Sequence, residues 1–171
     1  GRWMTMHLLD LGHKTVFYVG RVQGATDNTR ANGWKDALEE RGIEAPEPIV
    51  VSDGNLEKAV KAGHELGRRG EATAIFADSD ETAIAVIRGL RETGRRVPDD
   101  VSVVGFDDRN FGALWEPSLT SYTQNFLDMG ERSFRMLFEQ IQAKRMGADM
   151  PPSQIEVVQG QPCLRASERE I

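Results

Sequence analysis

Cysteine, histidine and long apolar runs are all scarce in this chain of 171 residues. The single cysteine, Cys163, cannot form a disulfide within the chain, so nothing indicates an oxidising compartment. The three histidines are far apart and none has a second ligand at zinc-site spacing, so we expect neither a metal nor a cofactor. The longest apolar run has about five residues, too few to span a membrane. We therefore expect no membrane association and a cytoplasmic location.

A surplus of basic residues is also lacking. The chain has 27 acidic and 21 basic residues and a formal net charge of -6. Because a domain that grips nucleic acid needs a basic face, this segment alone is not expected to bind DNA strongly. The glycine-rich loops that cradle nucleotide phosphates are absent from the sequence as well, which disfavours nucleotide binding.

Short apolar segments alternate with amphipathic segments along the first part of the chain. The apolar segments are rich in β-branched and aromatic residues, as in parallel strands buried on both faces, and they cover 15–19, 49–51, 72–77 and 101–105. The amphipathic segments have helical periodicity and end near glycine, and they cover 3–11, 30–41, 56–69 and 81–93. This alternation predicts an α/β fold with a doubly wound parallel sheet.

The pattern changes after residue 105. It predicts a long loop over 106–117, a strand-like connector over 119–123, a helix over 126–143 and a last strand over 155–158. The helix over 126–143 is strongly apolar on one side. We expect a partner lobe or subunit to cover that side, because the predicted sheet does not account for it.

Polar side chains follow each predicted strand. In an open parallel sheet, ligands bind beyond the carboxyl ends of the strands. The residues at those ends are Gln23, Asp27, Arg30, Ser52, Asp53, Asn55, Asp78, Ser79, Asp80, Asp107, Asp108, Arg109 and Asn110. Asp27, Asp53 and Asp80 also fit helix capping, and Asp107 fits either a ligand contact or a turn. Carboxylates and amides with an arginine match the hydroxyl groups of a polyol, which both donate and accept hydrogen bonds.

One enzyme class shares part of this pattern. Asp78-Ser79-Asp80 after an apolar strand is similar to the haloacid-dehalogenase phosphatase signature, in which the first aspartate is a nucleophile beside Mg²⁺. Such enzymes also need a lysine between their two acidic motifs, and the interval 81–106 contains arginines but no lysine. We therefore expect a protein that is not an enzyme, with the phosphatase as a remote alternative.

Several segments, taken in chain order, resemble landmarks of the LacI/GalR family of transcription regulators. They are HLLDLGH at 7–13, RANGW at 30–34, ADSDETAI at 77–84, PDDVSVVGFDD at 98–108, PSLTS at 117–121, Gln124 with Met129 and Gly130, and LRAS at 164–167. Each motif is weakly specific, but the ordered set covers essentially the whole chain.

The resemblance implies a fold and a domain organisation. Members of this family have two doubly wound lobes of the periplasmic-binding-protein type with a ligand cleft between them. Residues 1–122 would form a nearly complete C-terminal lobe, residues 123–152 would cross to the N-terminal lobe as a helix, and residues 153–171 would return as a strand and tail. Most of the N-terminal lobe and the DNA-binding helix-turn-helix would precede Gly1.

The resemblance also implies site residues. Arg30 and Asp107 match the main effector contacts of the family, with Ser79 and Gln124 as further contacts. Asp53 is also assigned to the ligand site, although many members carry an aromatic residue in that region to stack on the ligand. The dimer interface implied by the family lies on the helix over 81–93 and the following loop, and we assign to it Ile84, Ile87, Arg88 and Trp115.

These expectations define a predicted function. The chain would be the effector-binding and dimer-forming domain of a bacterial transcription regulator, with a sugar or a related small polar molecule as effector. It would reach operator DNA only through the preceding helix-turn-helix. The alternative is a periplasmic sugar-binding protein of a transporter, which shares the same architecture.

Overall fold

The computed structural model describes residues 1–22, 29–51, 54–152 and 154–171, and of Thr29 it describes the backbone only. The chain divides into two compact units. The first comprises residues 1–123 and 162–171, and the second comprises residues 124–161. The units divide at 123/124 and 161/162, whereas the sequence predicted lobe boundaries at 122/123 and 152/153. Residues just before 162 therefore lie in the second unit and not with the C-terminal tail. The assignment of these parts to two lobes stays a prediction.

A four-stranded parallel sheet organises the first unit. Its strands are β1 (Phe17–Gly20), β2 (Ile49–Val50), β3 (Ala74–Ala77) and β4 (Ser102–Val104). They lie in the order β2-β1-β3-β4, with Phe17 beside Ile75 and Ile75 beside Val103. β1, β3 and β4 are buried along their whole length because helices cover both faces of the sheet. The prediction of a doubly wound parallel sheet is confirmed.

Two apolar clusters fill the two faces of the sheet. Helices α1 (Arg2–Asp10) and α2 (Thr29–Glu40) cover one face, and α3 (Leu56–Arg68) and α4 (Asp80–Glu92) cover the other. Side chains alternate along each strand, so Tyr18 and Phe76 belong to the α1/α2 cluster and Val19 and Ile75 to the α3/α4 cluster. These four helices were predicted within two residues of their observed ends.

The α3 and α4 backbones approach closely at two glycines. A Cβ atom on Gly63 would lie 2.3 Å from the Val86 carbonyl oxygen, and one on Gly89 would lie 2.1 Å from the Val60 carbonyl oxygen. No side chain fits at either position. These glycines therefore set the distance between the two helices.

The chain beyond β4 extends the first unit with short segments. A 3₁₀ turn (Gly112–Leu114) precedes β5 (Ser121–Thr123), which pairs with β6 (Gln161–Cys163). Residues 120–123 run parallel to the end of β4, with bridges joining Val104 to Thr120 and Asp107 to Thr123. The predicted connector over 119–123 is thus a strand in its second half.

The second unit contains one long helix, α5 (Phe126–Met146). Asn125 caps its start by accepting a hydrogen bond from the Asp128 amide (3.1 Å), and Gly147 ends it with a φ of 64°. Within the described residues no side chain of α5 is buried, and its apolar side remains exposed at Phe134, Leu137 and Phe138. The prediction of a strand over 155–158 is wrong: Ile155 and Val157 are exposed, so no packing surface stabilises an extended pairing there.

The close helix crossing gives a stability prediction. Gly89→Ala should destabilise the fold by about 1–3 kcal/mol or more, because the added methyl group overlaps backbone atoms of α3 and the two helices must separate. Urea denaturation measures the change. Gly70→Ala is the control, since nothing lies within 4 Å of a Cβ at that position. Equal stability of the two variants would show that α3 and α4 can move apart without penalty.

Candidate functional site

The Arg30 guanidinium is held at the carboxyl edge of the sheet by three groups. Its Nη1 donates to the Asp78 carbonyl oxygen (2.6 Å), and its Nη2 donates to Asp107 Oδ1 (2.8 Å). Its central carbon lies 4.2 Å from the centre of the Phe106 ring, in a cation–π arrangement. Arg30 begins α2, Asp78 follows β3 and Phe106 follows β4, so three elements of the fold meet at this side chain.

Asp107 and Asp108 both adopt left-handed backbone conformations. Their φ angles are 98° and 51°, which are uncommon for residues other than glycine and are best tolerated by Asp and Asn. The Asp107 amide donates to the Tyr122 carbonyl (3.0 Å), and the Asp108 amide donates to Ser121 Oγ (3.0 Å). β5 therefore fixes the turn that directs the Asp107 carboxylate to Arg30.

Asp78 connects the ends of β1, α2 and α4. Its Oδ2 accepts from the Arg21 amide (3.0 Å) and Nε (3.2 Å), and its Oδ1 accepts from the Thr82 hydroxyl (2.9 Å). A Cβ atom on Gly20 would lie 2.3 Å from the Asp78 Cβ, so this approach requires glycine at the end of β1. A carboxylate engaged in this way is poorly placed to act as a nucleophile, which disfavours the phosphatase reading.

Asp80 is a buried carboxylate beneath the same loop. Ser121 Oγ donates to its Oδ1 and the Arg109 amide donates to its Oδ2, both at 2.5 Å. Burial raises the pKa of Asp80 to about 6, and the negative charges of Asp107 and Asp108 add to this, while the two hydrogen bonds oppose it. The sequence interpretation of Asp80 as a helix cap is wrong, because Ser79 is the N-cap of α4.

Asp108 is paired on the other side of the turn. Arg165 Nη1 lies 2.7 Å from Asp108 Oδ1 and also donates to the Leu119 carbonyl (2.7 Å). Burial raises the pKa of Asp108, but hydrogen bonds from Arg165 and Cys163 outweigh it and leave the pKa below its ordinary value of 3.8. Burial, followed by the hydrogen bond to Asp108 and its negative charge, raises the pKa of the Cys163 thiol, which is the opposite of the shift that activates a cysteine nucleophile.

The structure brings together only some of the residues predicted from the sequence. Arg30 and Asp107 are in direct contact. Ser79 lies nearby, but its hydroxyl accepts from the Thr82 amide (3.2 Å) as a helix cap, and Asn55 caps α3 in the same way. Gln124 belongs to the second unit. Gln23, Asp27, Ser52 and Asp53 lie outside the described residues.

Three residues of the site were missed or misjudged. Phe106 supports the Arg30 guanidinium, Ser121 links Asp80 to Asp108, and Asp78 supplies both a carbonyl and a carboxylate. Only Phe106 carried a usable signal, since an aromatic residue directly before an aspartate at a strand end is placed to stack on a ligand or a cation.

A second surface feature is a groove between α3 and α4. It has a volume of about 640 Å³ and an apolar floor that includes Val60, Ile84 and Trp115, with charged residues of both signs at its rim. Arg88 lies at that rim and pairs with Glu92 (2.8 Å). Ile87, which we had assigned to this surface, is fully buried in the core cluster, because its position on α4 is rotated about 100° from that of Arg88 and faces the sheet.

The described residues contain neither a metal-binding cluster nor a membrane-spanning helix. Histidine, cysteine and carboxylate side chains do not form a group of three or more there that could hold a metal ion. Within the same residues, every helix is too short or too polar to cross a membrane.

These features define a class. A parallel α/β lobe that gathers an arginine, carboxylates and an aromatic ring at the carboxyl edge of its strands, without a phosphate loop, has the form of a small-molecule-binding lobe. The family model of the periplasmic binding protein-like domain matches residues 5–167. The chain therefore belongs to the periplasmic binding protein-like domain family, the fold type that the sequence predicted.

Known relatives are consistent with this assignment. The transcriptional regulator CelR of Thermobifida fusca is 36% identical over 144 residues, which cover 82% of this chain and 42% of CelR. Catabolite control protein A of Priestia megaterium is 33% identical over 134 residues, covering 76% of this chain and 40% of the relative. The chain thus spans less than half the length of these relatives.

Solved structures of regulators superpose on almost the whole chain. A LacI-family regulator of Enterococcus faecium with bound ribose has a TM-score of 0.85 and 27% identity and covers 99% of this chain and 62% of its own. The lac repressor dimer bound to operator and the anti-inducer ONPF has a TM-score of 0.80 and 25% identity. The match covers 98% of this chain and 57% of the repressor chain.

Because its pKa is raised, Asp80 should change the free energy of unfolding with pH in the direction opposite to that of a carboxylate paired with a cation. The folded protein holds this proton more tightly than the unfolded chain, whose pKa is near 3.8, so the Asp80 contribution to the free energy of unfolding falls as the pH rises from about 4 to about 6. Urea denaturation across that range should show Asp80→Asn gaining stability relative to the wild type as the pH rises.

Asp128→Asn is the control for this trend. The Arg132 hydrogen bond lowers the pKa of Asp128, so the stability that Asp128 contributes is present above its unfolded pKa and lost as the pH falls. This variant should lose stability relative to the wild type as the pH rises toward about 4, and it should show no further trend between about 4 and about 6, where Asp80→Asn gains. If the free energies of unfolding of the two variants changed in the same way with pH, burial would not disfavour the ionised form of the Asp80 carboxylate.

Proposed function

We propose that this chain is the effector-binding and dimer-forming region of a bacterial LacI/GalR-type transcription regulator, and that its effector is a sugar or a related small polar molecule. The observation that carries the proposal is the Arg30–Asp107 pair on the Phe106 ring, at the edge of the sheet where α/β folds bind ligands. The guanidinium offers donors, the carboxylate offers acceptors and the ring offers an apolar face. A sugar hydroxyl and a sugar ring match these three groups.

The charge of the cluster supports a neutral ligand. Three of the four carboxylates of the cluster are already paired with an arginine: Asp107 with Arg30, Asp108 with Arg165, and Asp78 with Arg21. The fourth, Asp80, is buried behind them and accepts from a hydroxyl and an amide. An anionic ligand would have to displace one of these carboxylates from its arginine, whereas a hydroxyl group can share the existing pair. The ribose bound to the Enterococcus faecium relative agrees with this chemistry.

The domain organisation expected from the sequence enters the proposal as well. We infer that residues 123–152 belong to a second lobe, whose other elements would cover the exposed apolar side of α5. Effector binding between two lobes would favour one lobe arrangement over another, and that differential affinity would alter DNA binding by a preceding helix-turn-helix. A protein acting in this way works in the cytoplasm.

The groove between α3 and α4 is the surface we assign to dimer formation, with Ile84, Arg88 and Trp115 as contacts. Its apolar floor is flanked by acidic and basic side chains, among them Glu57, Glu81 and Arg91. A surface with both signs at its rim can pair with a two-fold-related copy of itself. The dimeric state of the lac repressor relative supports the assignment.

The effector proposal predicts a loss of binding on truncation of either member of the pair. In the full-length protein, Arg30→Ala and Asp107→Ala should each lower the affinity by about a hundredfold or more, because each removes a charged group that would bond the sugar and leaves its partly buried partner without that contact. Thermal shift with D-ribose, D-glucose, D-galactose and cellobiose identifies the sugar that binds, and calorimetry with that sugar measures the affinity. Arg41→Ala is the control, since Arg41 pairs with Asp10 away from the site.

The outcomes of that experiment separate two failures. Unchanged affinity in both truncation variants would place the sugar elsewhere in the protein. Failure of all four sugars to raise the melting temperature of the wild type would contradict a sugar effector of these classes.

The dimer proposal predicts a monomer on charge reversal at the rim. Arg88→Glu should weaken self-association of the full-length protein by about tenfold or more, because it places like charges together in a two-fold contact. Sedimentation velocity over a concentration series measures the change. Lys35→Glu is the matched control, because Lys35 is an exposed residue of α2, a helix on the other face of the sheet. Unaltered dimerisation of Arg88→Glu would exclude this groove as the interface.

A further inference from the structure

The Asp80 carboxylate lies in a narrow space between Gly105 and two hydrogen-bond donors. Asp80 is the first residue of α4 and is fully buried. A Cβ atom on Gly105 would lie 2.5 Å from Asp80 Oδ1, so glycine at that position leaves the space for the carboxylate. The Asp80 amide donates to the Phe106 carbonyl (3.0 Å), which joins α4 directly to the segment that follows β4.

The two hydrogen bonds to this carboxylate come from the segment around Asp107. The Arg109 amide donates to one oxygen, and the Ser121 hydroxyl donates to the other. Ser121 Oγ in turn accepts from the Asp108 amide (3.0 Å), so Asp80 is linked to the two residues that directly follow Asp107. Left-handed conformations of residues other than glycine persist only where the surroundings fix them.

The surroundings of Asp80 favour its protonated form over its ionised form. Asp107 and Asp108 repel the ionised carboxylate, Arg165 attracts it, and burial removes its hydration. Helix capping does not explain its presence, because Ser79 performs that role. A carboxylate that is buried without a cationic partner among the described residues and that contacts the ligand-site loop suggests a task in the site.

We propose that Asp80 is a positioning residue of the effector site: it holds Asp107 and Asp108 in the left-handed conformations that direct the Asp107 carboxylate to Arg30. Its effect on effector affinity rests on the proposed function. Its effect on the geometry of the Arg30–Asp107 pair does not, so the two can be tested separately.

Asp80→Asn in the full-length protein tests the geometry and the stability together. An amide can accept from the Arg109 amide, but it then donates to Ser121 Oγ and leaves the buried Ser121 hydroxyl proton without its acceptor. A crystal structure of the variant should show Asp107 displaced, with the 2.8 Å contact between Arg30 Nη2 and Asp107 Oδ1 lost. Urea denaturation at a pH of about 7.5 should show a free energy of unfolding equal to or above that of the wild type.

The same variant tests the effect on binding. Among D-ribose, D-glucose, D-galactose and cellobiose, the sugar with the largest thermal shift on the wild type is the calorimetric probe. Its affinity for Asp80→Asn should fall by about tenfold or more, as for the loss of a hydrogen bond to a charged group. Asp128→Asn, an equivalent change in the first turn of α5, should leave the affinity unchanged.

Ser121→Ala gives an independent reading of the same linkage. It should lower the sugar affinity like Asp80→Asn, because it cuts the connection from Asp80 to the Asp108 amide. It should also raise the pH at which Asp80 titrates, followed by the carboxyl ¹³C resonance, since the Ser121 hydrogen bond lowers the pKa of Asp80. A residue that merely fills space would not shift this titration.

Two results would overturn the proposal. Retention of the Arg30–Asp107 contact together with wild-type affinity in Asp80→Asn would show that Asp80 positions nothing. A loss of unfolding free energy at a pH of about 7.5 would instead assign Asp80 to stabilisation of the fold. If none of the four sugars binds the wild type, the proposed effector class fails, while the crystal structure and the stability measurement still decide the role of Asp80.

Discussion

Burial of the central strand on both faces is the constraint from which the rest of this structure follows. β3 alternates Ala74 and Phe76 on the α1/α2 side with Ile75 and Ala77 on the α3/α4 side, and none of the four is exposed. Such a strand leaves no polar side chain along its length, so polar groups appear only where it ends. Asp78, Ser79 and Asp80 follow at once and contact β1, α2, α4 and the segment after β4.

The cluster at this edge consists mainly of ion pairs. Arg30, Arg21 and Arg165 each meet a carboxylate, and the carbonyl of Asp78 and the Phe106 ring complete the surroundings of Arg30. Asp80 differs from the other carboxylates because its partners are a hydroxyl and an amide rather than a cation. The site therefore combines nearly neutral pairs at the surface with one buried, weakly compensated acid behind them.

Much of the fold could be predicted from the sequence, because periodicity reports burial. The four parallel strands are continuous apolar runs, and glycine marks the end of several helices, so these strands and α1 to α4 were found within a few residues, whereas β6 was not predicted. The segment over 155–158 shows the limit of this approach. It has the composition of a strand, but pairing depends on a neighbour, and local sequence does not contain that neighbour.

The site was predicted less completely, for a similar reason. Arg30 and Asp107 could be found because strand ends of a parallel sheet converge. Ser121 could not be assigned, because its role arises from contacts between segments that are distant in the chain, whereas the position of Phe106 directly before Asp107 was a signal that went unused. Ile87 was placed on the wrong side of α4, since adjacent apolar positions of a helix differ by about 100° and composition alone does not say which of them faces the core.

The left-handed turn at Asp107 and Asp108 also bears on how this site can diversify. Only Gly, Asn and Asp adopt that backbone conformation without substantial strain. Within this loop, the group that meets Arg30 can therefore change among a carboxylate, an amide and no side chain at all. New ligand preferences in descendants of this protein would have to arise through those few exchanges or through residues on other elements, while the loop itself stays unchanged.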